Sequence, residues 1–184
     1  SGAIWNVGIA SMSAVLKKSG HSVDLFEIDN LNQQLIELLN KIKESQPELI
    51  GISINSHQFA YAQKIAREIK KISPAPIIIG GVHVTLFPEA LEKEEAFDGI
   101  CLGEGETAFL ELANKIQAEE DYFQVKNFWF RRGKEIIKNG LAKLIENLDA
   151  LPFPDRSIFR YFQTRRTITP RFIFSRGCPF NCTY

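Results

Sequence analysis

The chain has 184 residues, 45% hydrophobic and 24% charged, and its 22 basic and 22 acidic side chains cancel. That is an ordinary globular composition, with room for one domain and an appendage, and zero net charge removes the electrostatic case for a nucleic-acid or anionic-membrane partner. No apolar run approaches the ~18 residues of a membrane-spanning helix, and three cysteines are too few for a disulfide framework, so a reducing, cytoplasmic setting is expected.

No secretory leader pattern opens the sequence, and Ser1-Gly2-Ala3 reads as an expression remnant. Residues 8–18 carry Ile9, Met12 and Val15 or Leu16 at helical spacing, with Gly20 placed to cap the end. Residues 22–28 read as a strand through Val23, Leu25 and Phe26. Leu31, Leu35, Leu38 and Ile42 mark one face of the next helix. A short apolar strand follows at 49–54, then a helix marked by Phe59, Ala62, Ile65, Ile69 and Ile72. Ile77-Ile78-Ile79 is a strand running into Gly80-Gly81, residues 85–94 read as a short helix, and 98–102 as a strand. Gly103-Glu104-Gly105-Glu106 then opens a helix over 107–117.

This alternation predicts a flavodoxin- or Rossmann-like doubly wound α/β domain over residues 1–122, its parallel sheet covered by helices on both faces. The strands are continuously apolar, as burial on both faces requires. Ligands of such sheets bind at the carboxyl ends of the strands. Those ends carry Ser53, Asn55 and His57, then Gly80, Gly81 and His83, then Gly103, Glu104 and Glu106. Residues 123–147 read as a β-hairpin extension with a basic turn at Arg131-Arg132-Gly133-Lys134. Pro152 and Pro154 stiffen a linker over 148–166, and residues 167–174 read as the first strand of a further domain that occupies 167–184.

The last ten residues read S-R-G-C-P-F-N-C-T-Y. Cys178 and Cys182 stand four apart, and a cysteine one position beyond Tyr184 would complete C-x-x-x-C-x-x-C. Three thiolates so spaced can hold three irons of a [4Fe–4S] cluster and leave the fourth open. A zinc half-site is disfavoured, since no C-x₂-C or histidine partner stands nearby. R-G-C-P-F-N-C-T-Y resembles the cluster loop of radical S-adenosylmethionine enzymes. The resemblance implies Cys178 and Cys182 as cluster ligands, with S-adenosylmethionine on the open iron, in a full-length parent only. Two thiolates alone leave two cluster irons without protein ligands.

A second resemblance covers residues 8–112, through G-I-A-S-M-S-A-V-L-K-K-S-G-H-S-V-D, P-E-L-I-G-I-S, I-I-I-G-G-V-H, F-D-G-I-C-L-G-E-G-E-T and, further on, L-D-A-L-P-F-P. These pieces, in this order, resemble the cobalamin-binding domain that precedes the radical domain in one class of radical S-adenosylmethionine enzymes, anaerobic magnesium-protoporphyrin monomethyl ester cyclases among them. The resemblance implies a corrinoid over the carboxyl ends of the strands. Its contacts would be Trp5, Gly8, Ser53, Asn55, Gly80, Gly81, His83, Gly103 and Glu104. In carriers of the mutase and methionine synthase type, D-x-H-x-x-G gives cobalt a histidine. With its glycine set on Gly8, Ala3 and Trp5 take the aspartate and histidine positions, so no lower-face histidine is expected. In that fold the central strand precedes Gly8, where only residues 1–7 stand. The chain therefore reads as cut at both ends, with the open centre covered by residues 167–174 or by a strand of a neighbouring chain, as in a homodimer.

The implied function is the amino-terminal corrinoid-binding domain of an enzyme that modifies an unactivated carbon by methyl transfer or oxidative cyclisation, with a small-molecule substrate and no catalysis by this piece alone. The rival from another class is a substrate-docking module that binds no corrinoid. A phosphate-accepting receiver lacks the strand-end carboxylate, since Asn55 and Ser56 stand there. A dinucleotide-binding enzyme lacks G-x-G-x-x-G after its first strand. Cys101, inside an apolar strand, is expected to pack as a small hydrophobe.

Overall fold

The computed structural model describes residues 6–159 and 175–177. Chain order runs α1 (Val7–Lys18), α2 (Leu31–Ser45), β1 (Ile50–Ser53), α3 (Phe59–Lys70), β2 (Ile77–Gly80), α4 (Val82–Leu86), β3 (Gly99–Cys101), α5 (Glu106–Gln117), β4 (Phe128–Arg132) and β5 (Glu135–Lys138). The five strands form one sheet in the order β1-β2-β3-β4-β5. β1, β2 and β3 are parallel, with Ser53 opposite Gly80 and Ile79 opposite Ile100. The sheet does not stay parallel, because the hairpin β4–β5 adds antiparallel to β3, with Ile100 opposite Trp129. The hairpin is therefore part of the domain's own sheet. Phe128 and Phe130 are fully buried, and their burial on one face is what seats it.

Two cores flank the sheet. On one face Leu38 and Ile42 of α2 and Ile65 and Ile69 of α3 pack on Ile77, Ile79 and Ile100. On the other, Phe109 and Leu112 of α5 pack on Ile78, Cys101, Phe128 and Phe130, with Met12 of α1 at the margin. A single β2 strand thus sends Ile77 and Ile79 one way and Ile78 the other, the period-two alternation of a strand covered on both sides.

Two segments depart from expectation. Residues 22–28 are not a strand, since among the described residues they have no ladder partner. A strand exists only where a neighbour takes its N–H and C=O groups. Their apolar side chains are still used: Leu25 joins Ala10 and Phe159, while Phe26 and Ile28 join the α2–α3 core. The helix expected over 85–94 is instead α4 and a 3₁₀ turn, Pro88–Leu91. Pro88 explains the break, because a proline disfavours helical backbone at the residue before it, and Phe87 leaves the helical region at φ −131°, ψ 68°.

The proline-containing segment returns to α1. The Asp155 N–H donates to the Ala10 carbonyl (2.9 Å), and Ser13 Oγ and Lys17 Nζ both donate to Asp155 Oδ2 at 2.7 Å. Burial pushes the Asp155 carboxyl up, but the hydrogen bonds from Lys17, Ser157 and Ser13 and the Lys17 charge outweigh it and hold it at about 2. Phe159, buried against Ala10, completes the attachment.

Candidate functional site: a glycine-rimmed cleft at the carboxyl ends of the strands

A cleft of about 1090 Å³ follows the edge of β1. It runs from residues 45–49, at the amino end of that strand, to Ser53 and Asn55 at the carboxyl end. α1 and residues 20–25 form its opposite wall. β1 pairs only with β2 among the described residues, so this cleft borders an open sheet edge. Its mouth lies where the three parallel strands end.

Each piece of the mouth has a local cause. Asn6 Oδ1 accepts from the Ile9 N–H (3.1 Å) and so caps α1, while Asn6 Nδ2 donates to Ser53 Oγ (3.1 Å). That bond ties the start of α1 to the end of β1. After β2 the chain turns at Gly81, whose φ of 101° and ψ of −179° belong to a region essentially restricted to glycine. A Cβ there would collide with the Ile54 carbonyl oxygen and stand 3.0 Å from the Ile54 nitrogen. After β3, Gly103 turns at φ 69°. Its N–H donates to Thr85 Oγ1 (3.1 Å), which in turn donates to the Gly81 carbonyl (3.1 Å). The loops after β2 and β3 are thereby cross-braced.

Gly8, Ser53, Asn55, Gly80, Gly81, Gly103 and Glu104 all line this one cleft, together with Asn6, Ile54, Glu106 and Arg176. His83 is not on its wall. The ring lies between Phe59 (4.6 Å between centroids) and Phe87 (5.6 Å), with Nδ1 3.1 Å from Ser56 Oγ. Trp5, Cys178 and Cys182 lie outside the described residues, as does the strand read over 167–174. Glu104 is occupied by the protein itself. Its Oε2 accepts from the Ile145 N–H and its Oε1 from Arg176 Nη1, both at 3.1 Å. Its carbonyl accepts from Asn127 Nδ2 at 2.8 Å.

Glu106, 4% exposed, accepts from Arg176 Nη2 at 2.5 Å. Burial lowers the Arg176 pKa, but its bonds to Glu106 and Glu104 outweigh that and leave it raised. Below them Cys101 is a free, buried thiol, pushed up to about 12 by burial and then by the Glu106 charge.

Sequence reasoning missed Asn6, Asn127 and Arg176. The signal for Asn6 was legible, since asparagine just before an apolar-periodic run is a helix-cap pattern. Asn127 and Arg176 act over 23 and 72 residues of sequence, and no local pattern announces such a contact.

The mouth offers glycine backbone and one small hydroxyl at the ends of β1 and β2, with the exposed Val82 beside them. Those features suit a large flat ligand lying against main chain. Of the three histidines, His57 and His83 lie off the cleft. His21 lines it beyond the far end of α1, about 18 Å of helix from Asn6, with Nε2 2.8 Å from Asn114 Oδ1.

An open-edged, doubly wound α/β domain with a glycine-rimmed cleft at its strand ends is a nucleotide- or cofactor-binding class of protein. The chain belongs to the B12 binding domain family, whose pattern residues 2–113 match. It is 26% identical over 184 residues to an uncharacterized methyltransferase, PH0819, of Pyrococcus horikoshii, covering 97% of this chain and 39% of that protein. It is 28% identical over 189 residues to the anaerobic magnesium-protoporphyrin IX monomethyl ester cyclase of Cereibacter sphaeroides, covering 96% of this chain and 30% of that one. The chain thus spans well under half of either relative. Among solved structures, it superposes on the cobalamin-dependent S-adenosylmethionine radical enzyme OxsB with a TM-score of 0.71 at 23% identity, over 84% of this chain and 22% of that one. The radical S-adenosylmethionine methyltransferase TsrM of Kitasatospora setae gives 0.66 at 18% identity, over 75% of this chain and 28% of that one. These two likenesses show the fold.

Proposed function

We propose that this chain holds a corrinoid at the mouth of the cleft, as the cobalamin-binding part of a radical S-adenosylmethionine enzyme acting on an unactivated carbon. The observation that carries the reading is the convergence of Ser53, Gly80, Gly81 and Gly103 on one cleft at the strand ends. When bound, cobalamin would supply a cobalt-centred methyl carrier or one-electron chemistry. The chain's own part is to bind and orient. Gly80 and Gly81 let ligand lie on backbone, Ser53 Oγ offers a hydroxyl already fixed by Asn6, and the Thr85 brace keeps the two loops at one spacing. No described histidine stands at the mouth, which supports a cobalt without a histidine from this domain.

On this reading residues 1–122 are the cofactor domain, with the 123–147 hairpin joined to its sheet. Residues 148–166 are the linker and 167–184 the start of the radical domain, where Cys178 and Cys182 would serve a [4Fe–4S] cluster. The reaction of the whole protein is methyl transfer or oxidative cyclisation. The edge of β1, open among the described residues, takes one more strand, from this protein or from a second copy.

The test is a visible-absorbance titration with hydroxocobalamin, followed by electron paramagnetic resonance of the reduced cob(II)alamin complex. A saturable spectral change without nitrogen splitting from a protein histidine is expected. Absence of any binding would leave a docking module as the reading of this domain.

A further inference from the structure

We propose that Arg176 is a positioning residue: its guanidinium, forked onto Glu104 and Glu106, docks residues 175–177, which lead into the cysteine loop, at the rim of the corrinoid cleft. The proposal rests on the reading of Cys178 and Cys182 as cluster ligands and of the cleft as the corrinoid site.

The geometry is that of a two-armed clamp. Nη1 reaches Glu104 Oε1 at 3.1 Å and Nη2 reaches Glu106 Oε1 at 2.5 Å. Charge-assisted bonds of this kind are the strong ones, and a planar guanidinium holds direction as well as distance. A lysine, as a point charge, cannot span both carboxylates in a fixed orientation.

The anchor beneath the clamp is rigid. Glu104 is fixed by the Ile145 N–H on its other oxygen and by Asn127 on its carbonyl. Glu106 opens α5 with its side chain only 5% exposed. A carboxylate so buried requires a counter-charge. Among the described residues Arg176 is the cation that both carboxylates meet. The α5 amino terminus also favours negative charge at that point.

What the clamp can position follows from covalent geometry. Cys178 is two residues from Arg176 in the chain, and two residues span at most about 7 Å. Fixing Arg176 on Glu104 and Glu106 therefore ties residues 175–177, which lead into the cysteine pair, to the cleft rim. Glu104, Glu106 and Arg176 themselves line the cleft, so the clamp is part of its wall.

Limited trypsin digestion with mass mapping tests this on the 184-residue chain. Trypsin must take the Arg176 guanidinium into its own specificity pocket, which the clamp forbids while closed. Cleavage of the Arg176–Gly177 bond is expected to accelerate about tenfold or more in E104Q/E106Q, because local opening sets the rate. R176K should fall between wild type and that variant. Cleavage at Lys134, in the distant β4–β5 turn, should not change, and that separates positioning from general loosening. Equal rates at Arg176 in wild type and E104Q/E106Q overturn the proposal, as does parallel acceleration at Lys134. Hydroxocobalamin binding is measured on the same samples. No binding to wild type overturns the corrinoid reading, whereas an unprotected Arg176–Gly177 bond overturns the clamp, so the two failures are told apart.

Discussion

Replacing Gly81 by alanine should damage the domain far more than the same change at the glycines beside it. At Gly81 two costs combine. The backbone at φ 101°, ψ −179° is worth about 1–3 kcal/mol of strain to a residue with a Cβ. The new methyl would also collide with the Ile54 carbonyl oxygen and crowd the Ile54 nitrogen. Relief requires the ends of β1 and β2 to part, and the Ile54 N–H donation to the Gly80 carbonyl at 2.9 Å goes with them, for about 1 kcal/mol more. The total is roughly 3 kcal/mol.

Two neighbours calibrate the effect. Gly103 has φ 69° but open space around a Cβ, so G103A should cost about 1 kcal/mol, the left-handed backbone penalty alone. Gly80 has no positive φ, and a Cβ there meets only Cys101 Cβ at 3.9 Å, so G80A should stay within about 0.5 kcal/mol of wild type. Urea unfolding followed by circular dichroism ranks the three. With a slope near 2 kcal/mol/M, G81A should lower the midpoint by roughly 1.5 M. The same methyl at Gly80 projects where ligand would lie, so G80A should weaken hydroxocobalamin binding about tenfold, a typical overpacking cost. A G81A variant as stable as G80A would refute the collision argument, and unchanged cobalamin affinity in G80A would refute the placement of the ligand on that strand end.

Asp155 and Cys101 provide two more tests. The Asp155 carboxyl lies at about 2 in the fold against an ordinary 3.8, so its pairing contributes stability above pH 3.8 that is lost as pH falls toward 2. Discounted for solvent screening, D155N should be less stable than wild type by about 1 kcal/mol at pH 7, and urea midpoints of the two should converge between pH 4 and 2; a constant gap would show that the charge is not what Asp155 contributes. Cys101, buried and pushed up to about 12, should resist a polar maleimide at pH 8 under native conditions and react once unfolded, as read by peptide mapping. Rapid native labelling of Cys101 would contradict its place between α5 and the sheet.

Much of the fold was legible because each helix and strand states its period locally. Ile77-Ile78-Ile79 followed by two glycines announces a strand and a close backbone approach, and Leu31, Leu35, Leu38 and Ile42 announce a helix face. The segment over 22–28 has strand composition, yet composition cannot supply a neighbour. Pro88 was a visible stop signal that the helix reading over 85–94 ran through. The hairpin was legible, but its pairing on β3 was not, since sheet order is decided by which side chains of Phe128, Trp129 and Phe130 find a core. Of the site, glycines that must be glycine stood out. His83 illustrates the opposite case, because its position after the glycine pair does not reveal that Phe59 and Phe87 enclose its ring. The Glu104–Glu106–Arg176 clamp was invisible for a related reason: Arg176 stands 72 and 70 residues from its two partners in the sequence, and only the fold brings them together.

The most direct test of corrinoid binding is gel filtration of the 184-residue chain after incubation with excess hydroxocobalamin, with protein and cobalt quantified in each fraction. Binding at the strand-end mouth predicts co-elution at about one corrinoid per chain, lost or strongly reduced in G80A. Wild-type protein eluting free of cobalt, with its native circular dichroism intact, would contradict it.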